Sequence, residues 1–290
     1  MPATLQGLVA VGLWAALAAL TSYAGPIPPF QLAAMTFTIG TLVGLVYARV
    51  AGEALLPVLR AVPIGAWALG VYGLLVFHAC YFFALQSAPA IEVSLIIYLW
   101  PLLIVVASGL LPARLGGRGL RWWHVVGAVL AFSGTVLILL GAANRPDFSG
   151  SGVGYGAAIT AALIWSSYSV ASRMYQDVPS SAVIGSCAVT AAGSALLHLA
   201  LEMTVWPADR VAWAAVLGLG LGPVGLAFYV WDRGMKHGNM RLLGAASYAT
   251  PLLSTVILAS LGLGEATNTL WIAAILVTAG ALVAASDTLR

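Results

Sequence analysis

The residues of this chain best placed to do chemistry are aromatic, and they stand inside long apolar runs. Trp14, Trp100 and Trp165 lie far from either end of their runs. An indole N–H removed from water needs a partner, so such a tryptophan either packs or lines a cavity. Trp67, Trp122, Trp123, Trp206, Trp213 and Trp271 lie near run ends, where the ring anchors at a membrane surface. His78, Tyr81 and Leu85 follow at spacings of three and four and share one helical face. An ionisable ring in that setting is a functional candidate. The alternative is a neutral imidazole bonded to a nearby carbonyl, present for packing alone. His124, His198 and His237 lie near run ends or in a link and read as unremarkable. Among the carboxylates, Glu92 is one turn into its run and Asp232 sits beside Arg233, with which it can pair locally. Asp147, Asp177, Glu202, Asp209 and Asp287 fall in loops or at run ends. No carboxylate is clearly at mid-depth, so coupling to an ion is not evident.

Other chemistries are excluded by what the chain lacks. It has no HExxH helix and no nucleophile elbow, which speaks against an enzyme. Its only lysine, Lys236, is followed by His237 and not by the Ser or Thr of a nucleotide-binding loop. Cys80 and Cys187 lie at unrelated depths, so neither a disulfide nor a metal site is expected, and no cofactor is implied. With 61% hydrophobic and 7% charged residues, most of the exterior must face lipid. A net charge of +3 without a dense basic cluster gives nucleic acid nothing to bind. The run from Met1 to Tyr23 has no basic segment before it and reads as a retained helix, not a signal peptide.

The elements that position these residues follow from length and repetition. A bilayer-crossing helix needs roughly 20 apolar residues. Ten runs qualify, at about 4–23, 29–49, 62–85, 90–111, 122–141, 153–173, 181–202, 211–233, 241–262 and 270–286. With the N-terminus in the cytoplasm, Arg49, Arg60, Arg114, Arg118, Arg121, Arg173, Arg233, Lys236, Arg241 and Arg290 share that side, leaving Arg145 and Arg210 opposite. The expected fold is therefore all-α, a polytopic membrane protein of ten transmembrane helices with both termini cytoplasmic. Tyr98 and Pro101 recur as Tyr248 and Pro251, Tyr81 as Trp231, and Trp14 as Trp165 one residue off the same offset. A repeat at that offset divides the chain into two five-helix halves, 1–145 and 150–290. Five is odd, so the second half enters from the opposite side, and inverted repeats of this kind typify secondary transporters. Pro101 and Pro251 should kink the fourth and ninth helices at matched positions and offer hinges for alternating access. Glycines four apart, Gly40 and Gly44, Gly152 and Gly156, and Gly218 and Gly222, should let helices approach closely. Gly127 and Gly134 have similarly spaced partners in Ala273 and Gly280.

Two halves, each with a Trp in the first helix and Tyr-x-x-Pro in the fourth, resemble the EamA-type ten-helix branch of the drug/metabolite transporter superfamily. The resemblance spans the chain. Pro251, then Leu-Gly-Leu-Gly-Glu265 and Trp271, is similar to that family's second-half pattern, whereas Leu115 stands where the first half would carry the glutamate. Tyr98-Leu99-Trp100-Pro101 is similar to a stretch in the family's aromatic amino acid exporters. The resemblance implies a bacterial-type inner-membrane exporter of amino acids, aromatic ones above all. Trp14, His78, Tyr81, Tyr98, Trp100, Trp165, Trp231 and Tyr248 would line its central cavity, whose ring faces suit flat or amphipathic solutes. A multidrug or other metabolite exporter is the alternative, and a non-transporting scaffold or channel a more distant one. The expected partners are a small-molecule substrate and the lipid bilayer. A monomer is compatible with the design, and the sequence leaves oligomeric state open.

Overall fold

A chain segment that enters hydrocarbon must pair its own backbone, and an α-helix does so within the segment. The computed structural model describes residues 2–50, 52, 54–88, 90–115, 119–141, 152–262 and 268–284, and is helical, with no strand among the described residues. The long helices are α1 (Ala3–Ala24), α2 (Pro29–Val50), α3 (Ile64–Ser87), α4 in two pieces (Ala90–Ile97 and Trp100–Leu110) and α5 (Trp122–Gly141). They continue as α6 (Gly152–Ala171), α7 (Ser180–Leu201), α8 (Arg210–His237), α9 (Met240–Ser260) and α10 (Asn268–Ala284). Among the described residues, α1, α2, α3, α7, α8 and α9 are long and apolar enough to cross a membrane. Val50, Ile64, Leu110, Leu199, Met203 and Ile275 are all more than two-thirds exposed, a surface suited to lipid. The link through Asn144 and Pro146, residues 263–265 of the stretch ending at Glu265, and the side chain of Glu92 lie outside the described residues.

Helix pairing follows the repeat. The start of α1 packs along the end of α8, and α6 packs along the end of α3. Adding about 150 to the start of α1 gives α6, and subtracting it from the end of α8 gives the end of α3. α2 lies along α7 and α5 along α10, so each of these pairs joins the two halves of the sequence.

Small residues set the closest approaches, though not all the expected ones. A Cβ on Gly40 would sit 3.1 Å from Gly225 Cα, and one on Gly44 would strike Tyr229 and Ile184. A Cβ on Gly134 would come 2.9 Å from Ala273 O, and one on Gly280 would meet Gly127 and Ala131. Gly152 and Gly156 face open space instead, and Gly218 and Gly222 meet only the side chains of Leu20 and Leu13. Spacing alone does not say which face of a helix meets a neighbour. Cys80 and Cys187 are both free thiols.

The start of α2 is stapled to the end of α7. The first N–H groups of a helix have no intrahelical acceptor. Here Glu202 supplies one, its carboxylate accepting from the Phe30 N–H at 2.9 Å and the Gln31 N–H at 3.0 Å. His198 Nδ1 lies 3.0 Å from the same carboxylate, and its Nε2 lies 2.9 Å from Thr204 Oγ1. The Gln31 amide donates to Val205 O and accepts from Val205 N–H, both at 2.9 Å. Glu202 and His198 are thus structural members of a buried joint, not the bland run-end residues the sequence suggested. Glu202→Ala should cost about 2 kcal/mol, since it orphans two buried donors and removes a cap. Thermal unfolding in detergent should show this as a melting point lower by roughly 4 °C. Glu202→Gln keeps one acceptor and should lose less; wild-type melting in the alanine variant would refute the staple.

Candidate substrate site

The helices of the centre are interrupted at matched places. Pro101 and Pro251 carry no N–H, so the turn before each loses a backbone bond. α4 breaks at Tyr98–Leu99, where Leu99 N–H bonds Ile96 O at 3.1 Å in a tightened turn. α9 loosens at Ser247–Tyr248, with Tyr248 N–H on Ala245 O at 3.2 Å. α3 and α8 each widen into a π-turn, at Tyr72–Val76 and Gly222–Leu226, again 150 residues apart. Such turns leave carbonyls off the regular ladder and recur at functional sites.

Side chains take up the freed carbonyls. Trp14 Nε1–H donates to Pro223 O at 3.0 Å, and His78 Nδ1 lies 2.7 Å from Leu74 O. A carbonyl only accepts, so Nδ1 carries the proton, and Nε2 of the neutral ring is an acceptor. Both bonds anchor an aromatic ring to a π-turn, and the two turns are symmetry mates.

Four indoles meet at the centre. Trp14, Trp100, Trp165 and Trp231 come from α1, α4, α6 and α8, and every pair of them lies 5.0 to 6.3 Å apart between ring centroids. Trp165 and Trp231 stack at 20°, while Trp100 stands nearly perpendicular to the other three. Each favourable ring pair contributes about 0.5–1.5 kcal/mol beyond burial. Trp231 Nε1–H donates to Ser169 Oγ at 3.1 Å. Beside this group, Phe77 lies 5.3 Å from Trp165, 4.9 Å from His78 and 5.9 Å from Tyr81. Phe37 and Phe228 complete the wall around His78 at 4.9 and 6.2 Å.

The structure therefore brings Trp14, His78, Tyr81, Trp100, Trp165 and Trp231 into one connected aromatic body. Tyr98 is half-buried at the break in α4. Tyr248 is placed elsewhere: it is fully buried between α4, α5 and α10, 6.0 Å from Phe132, and its hydroxyl accepts the Leu102 N–H at 3.1 Å. It caps the helix restart after Pro101. Phe37, Phe77, Phe82 and Phe228 were missed by the sequence reading. The repeat offset alone pairs Phe228 with His78 and could have found it.

The two hairpins differ in burial. In the α8–α9 arm Trp231, Asp232, Met235 and Lys236 are all at most 5% exposed. Of the matched positions in the α3–α4 arm, Tyr81, Phe82 and Leu85 are half-buried and Gln86 is exposed. The α8–α9 hairpin is thus the more deeply buried of the two. Asp232 does not pair with its neighbour Arg233, which is exposed, but with Lys236 one turn on, Oδ2 to Nζ 2.9 Å.

A helical membrane body with breaks and rings at its centre is the architecture of a carrier. The sequence profile of the EamA-like transporter family matches residues 1–140 and again 152–286, and the chain belongs to that family. It is a multi-pass membrane transporter and not an enzyme. It is 48% identical to the aromatic amino acid exporter YddG of Ancylobacter novellus, over 97% of this chain and 96% of that one. It is 26% identical to the aromatic amino acid exporter YddG of Escherichia coli, over 97% and 95%. A solved crystal structure 47% identical in sequence superimposes over 99% of both chains with a TM-score of 0.91.

The Trp14 contacts separate ring from hydrogen bond. Trp14→Phe keeps a ring in the cluster but orphans Pro223 O, and should cost about 1 kcal/mol. Trp14→Ala also opens a cavity and should cost about 3–5 kcal/mol. Melting curves of the two variants in the same detergent check the ordering; equal losses would mean that the bond contributes nothing.

Proposed function

We propose that the chain exports aromatic amino acids across a bacterial inner membrane as a secondary transporter working by alternating access. The observation that carries this is the tryptophan group joined through Phe77 to His78 and Tyr81. The names of its relatives support the same reading. A flat ring can stack in that body, and the ammonium of an amino acid is attracted to an indole face. His78 Nε2 and the Tyr81 and Tyr98 hydroxyls are the polar groups that would fix orientation, as a few convergent polar groups do in apolar pockets. The two halves, 1–145 and 150–290, are read as inverted repeats with both termini cytoplasmic. Access then changes as the α3–α4 and α8–α9 hairpins exchange burial, turning at the breaks before Pro101 and Pro251. In this orientation the less buried α3–α4 hairpin faces outward and the buried α8–α9 hairpin faces the cytoplasm.

Counterflow in proteoliposomes tests the reading. Labelled phenylalanine is supplied outside, with unlabelled tryptophan, phenylalanine, lysine or a sugar trapped inside. Tryptophan and phenylalanine should drive accumulation, and lysine and the sugar should not. Accumulation driven only by a cationic drug would overturn the substrate class, and flux without exchange acceleration would point to a channel. Trp100→Ala and His78→Ala should each cut exchange about tenfold, roughly 1.4 kcal/mol of lost interaction, with membrane insertion intact. Normal exchange in both would remove this site.

A further inference from the structure

The α8–α9 hairpin is held by charge, and the matched positions of its counterpart, among the described residues, carry none. Asp232 Oδ2 accepts from Ser180 Oγ–H at 2.7 Å and faces Lys236 Nζ at 2.9 Å. Lys236 Nζ in turn donates to Val178 O at 2.9 Å. Two side chains of α8 thus grip the two residues that flank Pro179, Val178 in the link after α6 and Ser180 at the start of α7. Arg173, at the end of α6, donates to Met235 O and Gly238 O at 2.9 and 2.8 Å, tying down the end of α8. Asp232 and Lys236 are 4% and 5% exposed.

The repeat supplies a control within the same molecule. Subtracting 150 from Asp232, Lys236 and Ser180 gives Phe82, Gln86 and Phe30, and Phe30 follows Pro29 as Ser180 follows Pro179. Phe30 and Phe82 meet edge to face at 5.6 Å, in the place where the other end has a hydroxyl on a carboxylate. The hairpin with the ionic contact is the buried one.

We propose that Asp232 and Lys236 form an ionic latch that shuts the α8–α9 hairpin, with Ser180 and Val178 as its catch. The Phe30–Phe82 contact is its uncharged and weaker counterpart at the other end. This rests on the alternating-access reading above. The logic is that of a buried pair: both charges ride on α8 one turn apart, and opening parts them not from each other but from the Ser180 hydroxyl and the Val178 carbonyl, a loss made good only when water reaches both. A cavity of about 40 Å³ borders Asp232, Lys236, Ser172 and Tyr168, large enough to hold water beside the pair. Tyr168 also lies 5.5 Å from Trp165, so the latch adjoins the aromatic body. The latch biases the empty carrier towards the state closed at this end.

The test is thiol accessibility at Ser172→Cys, a cavity position 3% exposed when the hairpin is shut. Maleimide labelling is followed in detergent-purified protein, with Cys80 and Cys187 as the background measured in the chain without the added cysteine. Asp232→Asn strands an ammonium and Lys236→Met strands a carboxylate, both only in the closed state. Each should speed labelling about tenfold, the population shift expected for a bias of that size. The double variant Asp232→Leu/Lys236→Met strands no charge and should return labelling towards the parent rate. Ser180→Ala, the mildest change, should speed labelling about threefold and decides the matter should a charge variant not fold. Parent-rate labelling in the folded single variants would overturn the latch. Equal acceleration in single and double variants would overturn it too, since that signals lost packing and not charge coupling. Failed counterflow with accelerated labelling would sink the substrate reading alone; normal counterflow with unchanged labelling would sink the latch alone.

Discussion

Backbone groups carried into hydrocarbon must find partners inside the protein, and the rest of this structure depends on how that demand is met where the helices break. α3, α4, α8 and α9 all depart from regular helix near the middle of the molecule. Each departure exposes a carbonyl or an N–H, and the partners identified are polar atoms on aromatic side chains. Pro223 O takes the Trp14 indole, Leu74 O takes His78, and the Leu102 N–H after Pro101 goes to the Tyr248 hydroxyl. Tyr229 donates to Gly40 O at 2.9 Å where α2 crosses α8. Rings of the candidate site are therefore fixed by the same irregularities that interrupt the helices.

The coupling runs through the four indoles. α1, α4, α6 and α8 each contribute one, so no helix of this group can tilt without moving a ring against three others. Close packing of this kind favours a few discrete arrangements over continuous deformation. It suits a carrier, which must pass between two sealed states without a leak.

Much of this was legible in the sequence because a repeat constrains strongly. The offset between Tyr98 and Tyr248 places the two π-turns and the helix breaks as well as the matched aromatics. It pointed to Trp14, Tyr81, Trp165 and Trp231 among the residues that come together, and position within the apolar runs added His78 and Trp100. It did not distinguish Tyr98, half-buried at the break in α4, from Tyr248, buried among α4, α5 and α10, because positions matched by the repeat need not have the same surroundings. The Glu202 staple was unreadable, since its partners lie about 170 residues away. The pairing of Asp232 was readable and was missed: on a helix the neighbour in space is four residues on, at Lys236, and not the next residue. Proline marked three of the four irregularities. The π-turn at Tyr72–Val76 has none, and only its mate around Pro223 hints at it.

The departures from the repeat carry the functional content. Two identical halves related by a two-fold axis would have two equally stable facing states and no resting preference. A bias requires the halves to differ where they seal, and here they do: phenylalanines at 30 and 82, serine and aspartate at 180 and 232. An aromatic edge contact loses little when lipid or water replaces it, whereas a buried ion pair has a sharp cost for partial opening and a low one once both charges are hydrated. On the proposed latch, the two ends would therefore differ in kind as well as in strength. One would yield gradually and the other all at once, so that the aromatic body could fill from one side before the other releases.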